Sequence, residues 1–235
     1  MNSTPPISDW PPREPTGSLA VLVSGGLDSA ILLGEAVRVY PAVYPLYLRV
    51  GSYWESVEQE YLIRFLDSIR TPSLQPLTVL QQPVADLYGP HWSLTGQNVP
   101  ALGTADEACY LPGRNVLLFA KPLLWCHLNG VPELATAPLG SNPFPDATSE
   151  FYDGFAAMVN RSVGGNVRVL RPYADLGCHK NDVLRRGMGM PLEHTFSCIR
   201  PERGLHCGKC AKCGERRDGF RDAGLPDPTR YAINP

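Results

Sequence analysis

A cluster of cysteines near the end of the 235-residue chain has the spacing of a metal site. Its members lie within sixteen residues, at Cys198, Cys207, Cys210 and Cys213. Four thiolates with Cys-x2-Cys spacings are what a tetrahedral structural Zn²⁺ requires. A Cys-x2-Cys-x2-Cys run also begins one iron–sulfur pattern, but no fourth cysteine followed by proline comes after Cys213. The sequence therefore predicts a zinc-binding tail, with His194 and His206 as neighbours of the metal site or surface groups rather than ligands.

A glycine turn near the start of the chain is the second candidate for chemistry. It comprises Ser24, Gly25, Gly26, Leu27, Asp28 and Ser29. Glycines let the backbone approach an anion, and a helix N-terminus supplies N–H groups and a positive field. The two serine hydroxyls add donors, and Asp28 could position Mg²⁺ beside a phosphate. A plain strand-to-helix turn capped by Asp28 or Ser29 explains the same residues, so the pattern alone leaves both interpretations open.

The elements around these motifs alternate between continuous apolar runs and amphipathic segments. This alternation is typical of βαβ units, and it predicts an α/β fold with a Rossmann-like parallel sheet flanked by helices. The strand patterns cover 18–23, 43–50, 74–80, 133–140 and 167–175, and the helical patterns 24–40, 56–69, 115–130, 148–163 and 179–190. After Pro191 no helical period is visible. We therefore expect a Pro-rich arm over 1–17, an α/β domain over 18–190 and a small C-terminal zinc-binding subdomain over 191–235.

Charge and composition exclude some classes of function. The chain has 21 Lys and Arg against 23 Asp and Glu, which argues against general nucleic-acid or membrane-surface binding. No apolar run is long enough to span a bilayer, and the first 17 residues lack a signal-peptide pattern, so a cytoplasmic location is expected. The tail is locally basic, but a four-thiolate zinc centre offsets that charge and Phe220 is the only aromatic residue over 198–221. Nucleic-acid binding is therefore not expected.

Several segments together resemble a known enzyme family. The turn at 24–29 resembles the S-G-G-x-D-S signature of PP-loop ATP pyrophosphatases, and the cysteine spacing resembles that of the 7-cyano-7-deazaguanine synthase (QueC) family within that superfamily. Further similar segments are Tyr110–Asn115 (Y-[VL]-P-G-R-N), Leu139–Asn142, Lys180, Thr195–Cys198, His206–Cys210 and Asp227–Tyr231. The resemblance covers nearly everything from Ser18 onward and implies a fold of the adenine nucleotide alpha hydrolase (HUP) type.

The resemblance also implies a reaction and roles for individual residues. ATP would adenylate 7-carboxy-7-deazaguanine, ammonia would displace AMP to give an amide, and a second ATP would drive formation of the nitrile. Asp28, Arg114 and Lys180 are the implied catalytic residues, and the ATP would be bound by the turn at 24–29 together with Arg114 and Asn115. The deazaguanine would contact Gly140, Asn142 and Asp146. Mg²⁺ and a homodimer are implied as well.

Two segments depart from the family pattern. Where the family reads G-Q-R-H-x-x-E, this chain has Gly51–Glu58 without the Gln-Arg-His, and around the family's D-x-S-G-Y-P-D-C-R it keeps only Pro145 and Asp146 within 143–152. The altered acceptor segment motivates a second hypothesis, in which the enzyme stops at an amide formed with another amine, on a small molecule or a partner protein. A third hypothesis is a nucleotide-binding protein without turnover, and a fourth is an enzyme that acts directly on RNA.

Overall fold

The computed structural model describes residues 9–12, 15 and 17–233, excepting the side chain of Asp106. The strands are β1 (Leu19–Leu22), β2 (Val43–Arg49), β3 (Thr78–Gln81), β4 (Glu133–Ala135) and β5 (Arg168–Leu170). The helices are α1 (Leu27–Ala36), α2 (Glu55–Ser68), α3 (Ala85–Tyr88), α4 (Trp92–Thr95), α5 (Arg114–Leu128), α6 (Ser149–Val163), α7 (Pro172–Asp175), α8 (Lys180–Arg186) and α9 (Ala211–Ala223), with short 3₁₀ helices at Asp106–Cys109, Pro145–Ala147 and Leu192–His194.

The five strands form one parallel sheet in the order β3-β2-β1-β4-β5. This is the strand order of Rossmann-like folds, and it confirms the predicted fold class. The order reverses beside β1, since chain-sequential neighbours lie on one side of it and β4 lies on the other. Ligands of such sheets bind outside the carboxyl ends of the strands at this switch point. The turn that follows β1 therefore lies where the fold favours a binding site.

Apolar side chains cover both faces of the sheet. On one face, α1 and α8 pack against the sheet through residues such as Ile31, Leu33 and Leu184. On the other face, α5 and α6 bury Phe119, Leu123 and Tyr152, among others. A sheet buried on both faces requires apolar residues at successive strand positions, which is why β1 and β2 read as continuous runs in the sequence.

The longer predicted helices are all present, and β1 and β2 nearly match their patterns, whereas β3, β4 and β5 are much shorter than theirs. Strand β3 begins at Thr78, after Pro76, whose nitrogen cannot donate a ladder hydrogen bond. Strand β4 ends at Ala135, before Pro138, and β5 ends at Leu170 because Pro172 begins α7. Proline therefore lies within or beyond each of the shortened segments.

The tail after Pro191 contains a helix that the sequence pattern did not reveal. Helix α9 spans 13 residues and packs mainly against α8. Its buried face combines Gly214, Arg216 and Gly219 with Cys213 and Phe220 rather than a row of aliphatic residues. A Cβ on Gly219 would lie 2.7 Å from Lys180 Cγ, so this glycine permits the close approach of the two helices. A buried face made of glycine, arginine and cysteine produces no apolar period in the sequence.

The tail is also tied to the α/β domain by polar contacts. The backbone N–H of Phe196 donates to the carbonyl of Gly25 at 2.7 Å. Lys180 Nζ lies 3.2 Å from Glu215 Oε1 of α9, whereas the buried guanidinium of Arg216 donates to partners within the tail, namely Thr195, Ser197, Thr229 and the carbonyl of Leu192. The predicted boundary near residue 190 therefore separates segments that are hydrogen-bonded to each other.

Most of the predicted Pro-rich arm lies outside the described residues. Within the described part, Trp10 is buried and its indole N–H donates to Glu35 at 3.1 Å. Arg186 donates both to Glu35 and to the carbonyl of Trp10. This end of the arm is thus packed against α1 and α8. Within the described ranges no helix has the length and apolar character to cross a bilayer.

Candidate active site

The glycine turn is folded by hydrogen bonds between its own residues. The backbone N–H of Ser24 donates to Ser29 Oγ at 3.2 Å, and the two serine hydroxyls lie 3.2 Å apart. Gly25 has φ +74°, a backbone conformation that residues other than glycine rarely adopt. A turn of this kind at the start of a helix presents backbone and hydroxyl donors in one direction. That arrangement suits an anion such as a phosphate.

A cavity of about 580 Å³ opens beside this turn at the carboxyl edge of the sheet. Of the residues singled out in the sequence, it is lined by Ser24, Gly26, Leu27, Asp28, Ser29, Arg114, Asn115, Asn142, Asp146 and Lys180. Gly140 is not among the lining residues. A Cβ there would lie 3.0 Å from Gly177 Cα, so its role in the structure is to permit this close packing. The structure therefore brings ten of these residues, from five separate segments, to one cavity.

A chain of charged groups links the turn to the tail. Lys180 Nζ lies 2.6 Å from Asp28 Oδ2 and 3.2 Å from Glu215 Oε1, and Lys212 Nζ lies 2.5 Å from Glu215 Oε2. Burial alone would lower the pKa of Lys180, but the carboxylates of Asp28 and Glu215 raise it. Burial would likewise raise the pKa of Glu215, but the two ammonium groups hold it at about 2. Lys180 is therefore charged at the mouth of the turn.

Asp28 has one oxygen available for a cation. Its Oδ2 accepts from Lys180, whereas its Oδ1 is buried and has no hydrogen-bond partner among the described residues. A buried carboxylate oxygen without a donor is costly unless something binds it. Carboxylate oxygen is also the ligand type that Mg²⁺ prefers. The residues present thus fit the Mg²⁺ expected from the sequence.

Arg114 and Asn115 begin helix α5 and line the same cavity as the turn. The backbone N–H of Asn115 donates to Asp146 Oδ2 at 3.0 Å, and its side-chain amide donates to the Asp146 carbonyl at 2.7 Å. Asp146 thereby satisfies an N–H group at the start of the helix, as an acidic residue at this position usually does. This contact fixes the end of α5 and, with it, the backbone of Arg114. Asn142 Oδ1 accepts from the backbone of Phe144 at 3.0 Å, so it shapes the adjoining loop.

Sequence reasoning did not assign a role to Glu58, yet this residue lines the same cavity. Tyr47 of β2 donates its hydroxyl to Glu58 Oε2 at 2.6 Å. Burial raises the pKa of Glu58 to about 7, against lowering by Tyr47, Arg114 and the Trp54 side chain. The available signal was two acidic residues, Glu55 and Glu58, in a helix that directly follows a strand end. Both residues line the cavity, and the pattern did not distinguish Glu55, which accepts from the backbone of the loop after β2, from Glu58, which does not.

Two pairs of stacked aromatic side chains form an aromatic wall of the cavity. Trp54 stacks on Trp92 with ring centroids 6.0 Å apart, and Tyr110 stacks on Phe144 at 4.9 Å. All four residues line the cavity. Both segments that depart from the family pattern therefore lie in this wall. A flat aromatic surface of this kind suits a planar heterocycle.

The four clustered cysteines meet in the tail, as the spacing predicts. Their Sγ atoms are buried and all lie within 4.8 Å of one another, with Cys198 and Cys210 3.8 Å apart and Cys207 and Cys213 3.9 Å apart. Tetrahedral zinc with bonds of about 2.3 Å requires sulfur pairs about 3.8 Å apart, so the set fits Zn²⁺. Backbone N–H groups of Arg200 and Cys207 donate to Cys198 Sγ at 3.3 Å. His206 is outside the set, and its Nε2 accepts from the backbone of Ser197.

The fold and the site define a Rossmann-like α/β protein with an anion-binding turn and a four-cysteine tail. The family profile described as "Queuosine biosynthesis protein QueC" matches residues 18–224. The chain is 30% identical to a 7-cyano-7-deazaguanine synthase of Syntrophobacter fumaroxidans, with 90% of this chain and 94% of that protein covered. It is 30% identical to the synthase of Xanthomonas oryzae (91% and 97% covered) and 31% identical to that of Xanthomonas campestris (91% and 97%). The chain belongs to the QueC family, and these three relatives are synthases.

Among solved structures, the chain is similar to a crystal structure of a 4-thiouridine synthetase–RNA complex with bound ATP. The identity is 13% and the TM-score 0.49, with 88% of this chain and 50% of that chain covered. This chain thus spans about half the length of that protein.

Proposed function

We propose that the protein uses ATP to convert 7-carboxy-7-deazaguanine and ammonia into 7-cyano-7-deazaguanine. The observation that carries the proposal is the convergence of the glycine turn, Arg114 and the Asp28–Lys180 pair in one cavity with an aromatic wall. Membership of the QueC family supports the substrate class. On this proposal the enzyme is an ATP-dependent ligase that forms carbon–nitrogen bonds.

The chemistry requires a better leaving group than a carboxylate oxygen. The carboxylate oxygen attacks the α-phosphorus of ATP, pyrophosphate leaves, and the acyl group is joined to AMP. Ammonia then forms the C–N bond, AMP leaves and an amide results. A second ATP adenylates the amide oxygen, and loss of AMP with the remaining nitrogen protons gives the nitrile. No nucleophilic side chain is needed.

The residues in the cavity supply what these steps demand. Negative charge develops on the phosphate oxygens as pyrophosphate leaves, and Lys180 and Arg114, which both line the cavity, stabilise it. The turn at 24–29 holds the pyrophosphate with backbone and hydroxyl donors. Mg²⁺, held by Asp28, supplies further charge neutralisation when bound. Asn142 and the stacked aromatic residues hold the deazaguanine, while Asp146 acts through the start of α5.

The tail contributes to the same site in this proposal. Zn²⁺ held by the four cysteines fixes the start of α9. This helix carries Glu215, which contacts Lys180, and Lys212, which contacts Glu215. The role of the zinc is structural, since its four ligands leave no open position for substrate. A homodimer is part of the proposal on family grounds.

A second candidate function is formation of an amide with a larger amine, on a small molecule or a partner protein. The observation in its favour is that Ser52 and Trp54, in the segment that departs from the family pattern, line the cavity. A changed wall beside the activated acyl group alters which nucleophile fits. A third candidate is a nucleotide-binding protein without turnover. The charged Lys180 beside Asp28 argues against it, because binding alone needs no stabilisation of a leaving pyrophosphate.

Mass spectrometry of the products tests the three candidates together. The zinc-loaded protein is incubated with ATP, Mg²⁺ and 7-carboxy-7-deazaguanine, with and without ammonium. A nitrile that requires ammonium supports the proposal. AMP together with a mass added to an amine or a protein supports the second candidate, and absence of pyrophosphate release supports the third.

A further inference from the structure

Glu58 is placed beside the glycine turn, inside the cavity. A Cβ built on Gly25 would lie 3.0 Å from Glu58 Cγ and 3.2 Å from the Glu58 carbonyl oxygen. The α-phosphate of ATP is bonded to the pyrophosphate, so a group activated on it lies next to the pyrophosphate turn. The carboxyl of Glu58 is therefore near the place where the activated acyl carbon must react.

The neighbouring Glu55 shows what a structural carboxylate looks like in this segment. Its oxygens accept from the backbone N–H groups of Val50 and Gly51 at 2.7 and 3.0 Å and from Arg49 at 3.2 Å. Glu58 accepts no backbone N–H, and within the described residues it forms no ion pair. Its carboxyl instead meets the Tyr47 hydroxyl and faces the cavity. Glu55 thus holds the loop after β2, whereas the carboxyl of Glu58 makes no such contact with the loop.

The reaction needs a proton acceptor at this place. When an amine nitrogen bonds to the acyl carbon and AMP leaves, the nitrogen carries one proton more than the amide does. That proton must pass to a base before it can reach solvent. In the second stage the nitrogen gives up its remaining protons as the C≡N bond forms and AMP leaves. A carboxylate beside the acyl carbon can accept each proton and release it to solvent afterwards.

We propose that Glu58 is the general base of the nitrogen-transfer step and accepts the proton from the attacking nitrogen. The inference rests on the proposed function and adds a catalytic residue to it. Tyr47 is a positioning residue, because its hydrogen bond fixes the orientation of the carboxyl.

The surroundings suit a base that works near neutral pH. Burial is the largest influence and raises the pKa of Glu58 to about 7. The charged and titratable groups that face it are Tyr47 from β2 and Arg114 from α5, which lower its pKa, and Glu55 from its own helix, which raises it. A carboxylate with this pKa is a stronger base than an ordinary one and is still ionised at pH 8.

The test separates the two half-reactions in the variant Glu58→Gln. Glutamine keeps an oxygen that can accept from Tyr47 but cannot take up the proton. We expect amide formation from ammonia to fall about 100-fold, while ATP–pyrophosphate exchange dependent on the deazaguanine acid stays within about threefold of wild type. Glu60→Gln removes an exposed carboxylate from the same helix and is the matched control.

A second variant keeps the carboxylate and changes only its environment. Tyr47→Phe removes a hydrogen bond that favours the ionised form, so the pKa of Glu58 rises. We expect the acid limb of the pH–rate profile of amide formation to move to higher pH in this variant. A purely structural role for Glu58 would not move that limb, so this readout decides the question even where Glu58→Gln folds poorly. Zinc content and the unfolding midpoint report the fold of each variant.

Each further outcome has one meaning. If Glu58→Gln forms amide within about threefold of wild type with an unchanged acid limb, the proposal for Glu58 is overturned. If the variant loses exchange to the same degree as amide formation, Glu58 acts in substrate binding and the proposal is also overturned. If the wild-type protein shows no acid-dependent exchange, the proposed function itself fails, and this result is distinguishable because it concerns no variant.

Discussion

The two sides of the cavity are built by different kinds of contact. On the side that the proposed function assigns to the nucleotide, called the nucleotide side, the glycine turn, Lys180 and the tail are joined by ion pairs and backbone hydrogen bonds, such as Lys180 to Asp28 and Phe196 to Gly25. On the acceptor side, the wall consists of stacked rings and a buried carboxyl held by a tyrosine hydroxyl. The nucleotide side keeps the family pattern, and the acceptor side departs from it.

The difference follows from what each side has to bind. Phosphates need fixed positive and N–H donors at set positions, so few residue types can serve and the motif persists. A planar heterocycle and its nucleophile are recognised by shape and by a few hydrogen bonds, which several side-chain combinations can supply. Gly25 is where the sides meet, because its carbonyl accepts from the backbone of Phe196 and a Cβ built on it would lie 3.0 Å from Glu58 Cγ of the acceptor wall.

The largest effect is expected from removal of a zinc ligand. Cys207→Ser takes away a thiolate that also accepts from the backbone N–H groups of Lys209 and Cys210. We expect loss of stoichiometric zinc, a drop in the free energy of unfolding on the order of 5 kcal/mol, and no measurable ATP–pyrophosphate exchange. Metal analysis, urea unfolding and the exchange assay measure these changes.

The control for this prediction is Cys178→Ser, a half-buried cysteine outside the cluster. It should keep its zinc and most of its exchange activity. A Cys207→Ser protein that exchanges pyrophosphate normally would show that the nucleotide side does not depend on the tail.

The next largest effect is expected from Lys180→Met. The substitution removes the ammonium between Asp28 and Glu215 and leaves Asp28 without the cation that lies 2.6 Å from its Oδ2. We expect acid-dependent ATP–pyrophosphate exchange to fall about 100- to 1,000-fold, because charge on the leaving pyrophosphate loses a partner. Lys121→Met, on the exposed face of α5, is the matched control and should change exchange by less than about threefold. Normal exchange in Lys180→Met would mean that this pair serves folding alone.

The sequence predicts most of the fold because the signals are local. Strands buried on both faces give continuous apolar runs, and the helices on the sheet give amphipathic ones, so the parallel sheet follows from the alternation. Helix α9 could not be found this way. Its buried face includes Gly214, Arg216 and Gly219, whose burial depends on partners distant in the sequence, namely Leu102, the 3₁₀ helix at Leu192–His194 and α8.

The residues of the candidate site also differ in whether the sequence alone can identify them. The turn and the cysteines are recognisable from their residue types and spacing, whereas Arg114 and Lys180 were expected only from the resemblance to the QueC family. Glu58 was not recognisable as a cavity residue from the sequence. Its raised pKa could not be predicted either, because it arises from burial and from neighbours that only the fold brings close. Lys212 and Glu215 were seen as part of a basic tail, whereas the contact of Glu215 with Lys180 depends on how α9 packs.

A smaller effect is expected where the two sides of the cavity meet. Gly25→Ala forces a side chain into φ +74° and against Glu58, whose Cγ and carbonyl oxygen lie at 3.0 and 3.2 Å. Gly164 has φ +63° and nothing within 4 Å, so Gly164→Ala carries the backbone strain alone. We expect urea unfolding to give a loss of about 1 kcal/mol for Gly164→Ala and about 2–3 kcal/mol for Gly25→Ala. Equal losses would show that the turn and α2 are not tightly packed.

The smallest expected effect concerns pH and isolates the acceptor side. Glu58 has its pKa raised from 4.5 to about 7 in the folded protein, so the folded state binds its proton more tightly than the unfolded state does. Its contribution therefore lowers the stability of the wild type as pH rises from about 4.5 to about 7. Glu58→Gln removes this loss.

Urea unfolding at pH 5 and pH 8 measures the size of this contribution. The free energy of unfolding of Glu58→Gln minus that of wild type should be about 2 kcal/mol larger at pH 8 than at pH 5, so the variant gains stability relative to wild type as pH rises. Glu60 lies on the same helix and has an exposed carboxylate, so Glu60→Gln should show no such difference. Comparison of the two variants cancels any pH effect of the cysteine cluster, which both contain. If both variants behave alike, Glu58 is ionised normally at pH 7 and the acceptor wall does not desolvate it. The two sides of the cavity would then differ in their residues and not in their electrostatic environment.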